Sequence, residues 1–181
     1  MKSVIIGCGR VGATLAEALE DLGHDVIIID IRTSAFDRLS STFRGSAIRG
    51  DGTDEDVLRR AGADDADLFI ALTEGDNRNI MAAQIAARTF GIPRVVAKVN
   101  DPVRAEAYAT LGIATLCRTN LMVDAIYEYL GLPRRHPPGV VRPTDVVAGV
   151  TATAEAPRGS AEREARTSGS GASDHGPEEE G

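Results

Sequence analysis

The feature that most constrains the fold is a glycine-rich stretch close to the start of the chain. It reads Gly-Cys-Gly-Arg-Val-Gly over residues 7–12 and matches the pattern GxGxxG. An apolar, β-branched run from Lys2 to Ile6 precedes it, and apolar residues recur after it at helical spacing as far as Gly23. A strand that ends at the first glycine and a helix that opens at the last are the context of a dinucleotide-binding βα turn. The sequence therefore predicts a Rossmann-like start to the fold.

Individual residues of this unit have distinct predicted roles. Gly7 permits the tight turn, Gly9 lets a phosphate approach the backbone, and Gly12 allows the helix to pack closely on the strand. The helix N-terminus offers free N–H groups to a phosphate, and Arg10 adds a full positive charge there. Asp30 follows 18 residues after Gly12, at the end of the second predicted strand. Its carboxylate would accept hydrogen bonds from ribose hydroxyls.

The carboxylate of Asp30 also bears on the choice of cofactor. It would repel a 2′-phosphate, which disfavours NADP relative to NAD. Arg32 lies nearby, and its positive charge would weaken the repulsion of a 2′-phosphate, although it could equally be a surface charge in a loop.

Strand and helix patterns alternate over the first 130 residues, which predicts a parallel sheet with right-handed crossovers. We expect an α/β fold, a Rossmann-like doubly wound sheet of six strands in the order 3-2-1-4-5-6. The predicted strands cover residues 2–6, 25–30, 46–49, 68–72, 95–99 and 113–116. The predicted helices cover residues 11–22, 33–43, 53–61 with Thr53 as the cap, 77–90, 103–111 and 120–130.

Residues that follow the other strands are further candidates, because ligands of open α/β sheets bind outside the carboxyl ends of the strands. Asp51 and Gly52 follow the third strand, and this turn could meet an adenine edge or provide only turn and cap chemistry. Thr73 and Glu74 follow the fourth strand, across from the first βα turn. Lys98 ends the fifth strand, where its ammonium could reach a phosphate or lie on the surface.

Taken together, these motifs resemble the N-terminal nucleotide-binding domain of the Trk/Ktr potassium-uptake regulators, also called the RCK N-terminal or TrkA-N domain. The resemblance covers roughly residues 1–130, whereas a dehydrogenase Rossmann domain shares only about the first thirty. It is carried by residues 7–12, Asp30, Gly50-Asp51-Gly52-Thr53, residues 61–67, Ala71-Leu72-Thr73, Asp76-Asn77, Val99-Asn100-Asp101-Pro102 and Leu111-Gly112-Ile113.

The resemblance implies a cytoplasmic regulator that assembles into a ring beneath a potassium-translocating membrane protein. Such a regulator senses NAD(H), or ATP against ADP. The ligand contacts that it implies are Gly7, Cys8, Gly9, Arg10, Val11, Asp30, Asp51, Thr73, Glu74 and Lys98. The family often has arginine where this chain has Lys98, which keeps the charge and loses bidentate phosphate recognition.

Composition divides the chain near residue 131. We expect a nucleotide-binding domain over residues 1–131, followed over residues 132–181 by a Pro-rich linker and an acidic low-complexity tail. Only residues 140–150 of this second part could form anything ordered, and the tail has too few apolar residues to fold. A usual regulator continues into a second ligand-binding domain, which a partner chain could supply here.

Charge and composition limit the other functions. The net charge of -7, more than half of it in residues 151–181, and the absence of Trp argue against nucleic-acid binding. No apolar run reaches the roughly 18 residues that span a bilayer. Cys8 and Cys117 are interpreted as small core residues, and the three histidines have no metal-site spacing.

Three functional hypotheses follow. The first is a regulatory subunit, not an enzyme, that binds NAD(H) or ATP/ADP, assembles as a dimer-based homo-oligomer or with a partner chain, and acts at the inner face of the membrane through a potassium-translocating subunit. The alternative is a small NAD-dependent oxidoreductase, which would need an acid–base group near the nicotinamide. The third is a domain that binds nucleotide only for stability.

Overall fold

The computed structural model describes residues 1–133 and 140–141, which form a twisted sheet covered by helices. The sheet has the order β3-β2-β1-β4-β5-β6-β7, and its first six strands pair in parallel. The predicted six-strand order 3-2-1-4-5-6 is therefore confirmed. The strands are β1 (Lys2–Ile6), β2 (Asp25–Asp30), β3 (Ser46–Arg49), β4 (Leu68–Ala71), β5 (Arg94–Lys98), β6 (Ala114–Leu116) and β7 (Val140–Val141).

Helices connect the parallel strands. The α-helices are α1 (Arg10–Asp21), α2 (Glu55–Arg60), α3 (Asp76–Arg88), α4 (Pro102–Ala109) and α5 (Arg118–Tyr129). Two short 3₁₀ helices, Thr33–Arg38 and Ala63–Asp65, complete the crossovers. Asp101 caps α4, because its carboxylate accepts the N–H groups of Val103 and Arg104.

The central strand β1 separates two hydrophobic clusters. Val4 and Ile6 point to one face, where they belong to the same cluster as Val57 of α2 and Ile80 of α3. Ile5 points to the other face, toward Ala13 and Ala16 of α1. Burial on both faces is why the central strands are continuous apolar runs rather than alternating ones.

The helix predicted over residues 33–43 is wrong. The structure has only a 3₁₀ helix, Thr33–Arg38, and Leu39 is already in extended conformation. The chain beyond it is rich in hydroxyl side chains that bond locally instead of leaving the backbone to a helix. Thr42 N–H donates to Ser40 Oγ at 3.2 Å, and Ser40 N–H donates to Glu17 of α1.

The predicted cap of α2 is also wrong. The Asp54 carboxylate accepts the N–H groups of Asp56 and Val57 at 2.8 and 3.4 Å, so Asp54, and not Thr53, is the N-cap. The Thr53 hydroxyl is occupied elsewhere, because it donates to Asp51 Oδ1 at 2.8 Å.

The strand β7 extends the sheet beyond the six predicted strands. It pairs antiparallel with β6, with Val140 opposite Leu116 and Val141 opposite Thr115. It falls in the only part of the C-terminal segment, residues 140–150, that the sequence indicates could be ordered. The acidic tail over residues 151–181 lies outside the described residues, so its predicted disorder and the domain boundary near residue 131 stay predictions.

Candidate functional site

A cleft of about 270 Å³ opens at the carboxyl ends of the central strands. This is the edge at which open parallel sheets bind ligands. Segments that follow β1, β2, β3 and β4 all contribute to it. The lining residues are Ile6, Gly7, Gly9, Ile29, Asp30, Ile31, Arg32, Gly50, Asp51, Gly52, Leu72, Thr73, Glu74 and Arg78.

Two glycines of the βα turn are required by the backbone itself. Gly7 has a φ of +97°, and a β-carbon there would come within 2.9 Å of the Leu72 carbonyl carbon. A β-carbon on Gly12 would overlap the carbonyl oxygen of Gly7. The tight turn and the close helix packing predicted for these positions are therefore confirmed.

Gly9 differs, because a β-carbon there would meet no atom within 4 Å. It is the N-cap of α1, and no side chain caps that helix end. The open space over Gly9 thus leads to uncapped N–H groups and the positive end of the helix dipole, which is a favourable place for a phosphate.

The Asp30 carboxylate fastens this turn to the end of β2. Its Oδ2 accepts the Cys8 N–H at 2.8 Å, and its Oδ1 accepts the Arg32 N–H at 2.9 Å. The side chain is only 9% exposed, and Arg32 Nε lies 3.9 Å from Oδ1. Each carboxylate oxygen keeps a further lone pair for a hydroxyl donor. A role toward ribose stays a prediction.

Cys8 is a buried part of the turn rather than a reactive group. Its side chain is fully buried, and burial, followed by the charge of Asp30, raises the pKa of its thiol. A thiol with a raised pKa stays protonated and is a poor nucleophile.

The turn after β3 lies directly over β1. A β-carbon on Gly52 would approach the Ile6 side chain to 2.6 Å, so the loop fits only with glycine there. Asp51 Oδ1 accepts both the N–H and the hydroxyl of Thr53, at 3.0 and 2.8 Å. These bonds lower the pKa of the Asp51 carboxyl, burial opposes them, and the charge of Arg78 adds the smallest contribution. The turn therefore forms its own internal hydrogen bonds and also lines the cleft.

Five of the predicted site residues do not line the cleft: Cys8, Arg10, Val11, Gly12 and Lys98. Arg10 and Val11 point to solvent on the first turn of α1. Lys98 is half-buried farther along the sheet edge, where burial first, and Arg118 second, lower the pKa of its ammonium.

The TrkA-N domain family matches residues 3–119 of the chain, which run from within β1 through β6 to the start of α5. The chain belongs to the TrkA-N domain family. Over 130 residues it is 46% identical to the Trk system potassium uptake protein TrkA of Streptomyces coelicolor, which covers 72% of this chain. The chain spans 58% of the length of that relative.

Solved structures show the same fold at lower identity. The TrkA-N domain of the inner membrane protein ybaL from Escherichia coli superposes with a TM-score of 0.65 at 17% identity, covering 71% of this chain and 96% of that one. The Kef C-terminal domain of Shewanella denitrificans, described as its AMP-bound form, has a TM-score of 0.59 at 21% identity, covering 86% and 92%. The Rossmann-like fold is thus established for this TrkA-N domain.

Asn79 is a residue of this TrkA-N domain that the sequence analysis missed. It is fully buried at the start of α3, and its Oδ1 accepts the N–H and the hydroxyl of Thr73 at 2.9 and 2.6 Å. Its Nδ2 donates to the carbonyls of Thr73 and Lys98 at 3.1 and 2.9 Å. Asn79 thus holds the ends of β4 and β5 together beneath the cleft. The sequence signal that could have indicated Asn79 is a polar amide on the buried side of an Ala-rich helix.

Arg78, the neighbouring residue, was also missed and lines the cleft directly. Nothing in the local sequence distinguishes it from a surface arginine, since the strand order does not say which side chains of the first turn of α3 face the cleft.

The described residues 1–133 and 140–141 contain no group of three or more His, Cys, Asp or Glu side chains arranged to hold a metal ion. Within the same residues, no helix has the length and apolar character needed to cross a bilayer.

Proposed function

We propose that this chain is a nucleotide-sensing regulatory subunit of a Trk-type potassium uptake system, and that it binds NAD(H) or ATP/ADP in the cleft. The observation that carries the proposal is the open approach over Gly9 to the uncapped N-terminus of α1, with Asp30 on the same cleft. The names of its TrkA relatives support the connection to potassium uptake.

In this proposal the ligand lies across the ends of β1 to β4. A phosphate accepts N–H groups at Gly9 and the first turn of α1, and the charge of Arg10 favours it from nearby. The ribose hydroxyls donate to Asp30, and the base lies toward Asp51 and Gly52. Thr73 and Glu74 complete the wall that follows β4.

Regulation needs no bond to be broken. A nucleotide that binds two conformations with different affinity shifts their populations, and the membrane partner responds to the shift. The partner of this proposal is a potassium-translocating membrane subunit, which places the chain at the cytoplasmic face of the membrane.

Self-association is part of the proposal, either as a dimer-based homo-oligomer or with a partner chain that supplies a C-terminal RCK domain. It is supported by α5, whose exposed side chains include Leu121, Met122, Ile126 and Tyr129, while the buried ones include Asn120 and Asp124. Apolar side chains on the solvent face of a helix are typical of an interaction surface.

The test is a calorimetric titration of the full chain with ATP, ADP, NAD and NADH. We expect binding by at least one of them and a loss of about tenfold or more in affinity for Gly9→Ala, because the added methyl group occupies the path of the phosphate. Gly75→Ala is the matched control, since Gly75 is also a glycine N-cap, of α3, and does not line the cleft.

Gly9→Ala should still fold, because its β-carbon points into open space, and thermal unfolding without ligand checks this. Absence of binding to all four nucleotides, or equal affinity of wild type and Gly9→Ala, would remove the proposal.

The oxidoreductase alternative makes a separate prediction. It requires reduction of NAD by a metabolite, with NADH absorbance as the readout. The Asp30 and Asp51 carboxylates already accept backbone or hydroxyl donors, and Glu74 is the exposed carboxylate at the cleft. If NADH forms and Glu74→Gln abolishes its formation, the chain is an enzyme.

A further inference from the structure

Arg78 reaches the cleft from the face of the sheet opposite to α1. The helix α1 packs on one face through Ala13 and Ala16, and α3 packs on the other through Ile80 and Ala83. Because β1 and β4 are parallel neighbours, the two helices that follow them start at the same edge of the sheet. Arg78 lies in the first turn of α3 and lines the cleft together with Gly9.

The two arginines that line the cleft differ in their partners. Arg32 lies 3.9 Å from the Asp30 carboxylate. Arg78 forms neither an ion pair nor a hydrogen bond with any described residue, and its charge acts on Asp51 only as the weakest of several effects. The cleft therefore presents one guanidinium whose hydrogen-bond donors are not used within the described part of the chain.

The acidic groups nearby do not neutralise this guanidinium. Asp51 directs Oδ1 at Thr53, and Asp30 accepts the N–H groups of Cys8 and Arg32. Glu74 is exposed at the rim and lies beyond salt-bridge distance of Arg78. Arg78 is exposed, so its guanidinium is accessible to an anionic group of a ligand.

We propose that Arg78 is a specificity-determining residue that binds the second phosphate of the nucleotide, an inference that rests on the proposed nucleotide site. The first phosphate occupies the N-terminus of α1 on one side of the sheet edge. A second phosphate, linked to the first, extends toward α3, where the planar guanidinium can donate two parallel hydrogen bonds to its oxygens. A monophosphate leaves Arg78 without a partner.

The test compares AMP with ADP by calorimetry on the full chain. Wild type should bind ADP about tenfold or more tightly than AMP, as expected for a charge-assisted, bidentate contact. Arg78→Gln should bring the two affinities to within about threefold of each other while AMP binding changes little. Arg78→Lys should fall between, because it keeps the charge without the fork of donors.

Arg88→Gln is the matched control, since Arg88 is exposed in the last turn of the same helix and its replacement removes the same charge. It should leave the ADP to AMP ratio as in wild type. A wild type that binds AMP as tightly as ADP, an unchanged ratio in Arg78→Gln, or an equal loss for both nucleotides would overturn the inference. The last result would mean that Arg78 contacts the base or the first phosphate.

Failure of the nucleotide site itself is a distinct result. If wild type binds neither AMP nor ADP nor any of the four nucleotides above, the proposed function fails and this inference fails with it. If wild type binds ADP and only the dependence on Arg78 is missing, the proposed function stands alone.

Discussion

The three glycines of the GxGxxG motif, Gly7, Gly9 and Gly12, have different structural roles at the residue scale. A β-carbon at Gly7 or Gly12 would collide with backbone, whereas one at Gly9 would meet open space. The first two glycines are needed for the fold, and Gly9 is free to serve the ligand. Only Gly9 therefore offers a substitution that separates binding from folding.

Ser3 gives a prediction about stability at the same scale. It is fully buried on β1, and its hydroxyl has no hydrogen-bond partner among the described residues. A buried hydroxyl without a partner costs about 1–3 kcal/mol, so Ser3→Ala should raise the free energy of unfolding by about 1 kcal/mol. Chemical denaturation measures this. Ser46→Ala on the exposed side of β3 is the control and should have little effect.

A decrease in the stability of Ser3→Ala would contradict this prediction. It would mean that the hydroxyl finds a partner in the folded protein and contributes to stability rather than reducing it.

At the scale of elements, the sequence predicted most accurately the bounds of the strands that are buried in the core. The bounds of β1 and β2 are those expected, because buried apolar runs between turn signals leave little choice. The segment over residues 33–43 failed because its hydroxyl side chains compete with a helix, a local effect that apolar spacing does not report.

The site residues also divide into those that the sequence predicted and those that it did not. Gly7, Gly9 and Asp30 could be found because strand, turn and helix follow one another along the chain. Arg78 and Asn79 were not found, because the predicted strand order does not say which side chains of the first turns of α3 face the cleft or the strand ends. Lys98 was placed at the correct strand end, yet β5 carries it outside the cleft.

The cap of α2 gives a prediction at the element scale. Asp54 accepts two N–H groups of the first turn, so Asp54→Ala should lower the free energy of unfolding by about 0.5–2 kcal/mol. Asp64→Ala is a suitable control, because Asp64 is exposed and does not cap an α-helix. If Asp54→Ala is as stable as wild type by thermal and chemical denaturation, the assignment of this cap is wrong.

At the scale of the whole molecule, α5 has the reverse of the usual arrangement, with Met122 62% and Tyr129 89% exposed. If this face joins copies of the chain, Met122→Glu should weaken self-association by about tenfold, since a buried charge without a partner is costly. The fold of each subunit should be unaffected, because Met122 is exposed within it. Sedimentation velocity over a range of concentrations measures the change.

The control for this experiment is Ala18→Glu, which adds the same charge to an exposed position on α1. Identical sedimentation of Met122→Glu and wild type would exclude Met122 from the interface, and an equal effect of Ala18→Glu would indicate a general charge effect.

The central claim is that a nucleotide binds at the carboxyl edge of the sheet, over Gly9. The most direct measurement is the change in backbone amide NMR shifts when ADP is added to the ¹⁵N-labelled chain. The account predicts the largest changes at Gly7, Gly9, Gly52 and Thr73, saturating with the calorimetric affinity and needing about tenfold or more ADP to reach the same extent in Gly9→Ala. Saturable changes confined to residues outside the cleft, such as α5, would contradict it, and so would the absence of changes with ADP, ATP, NAD and NADH alike.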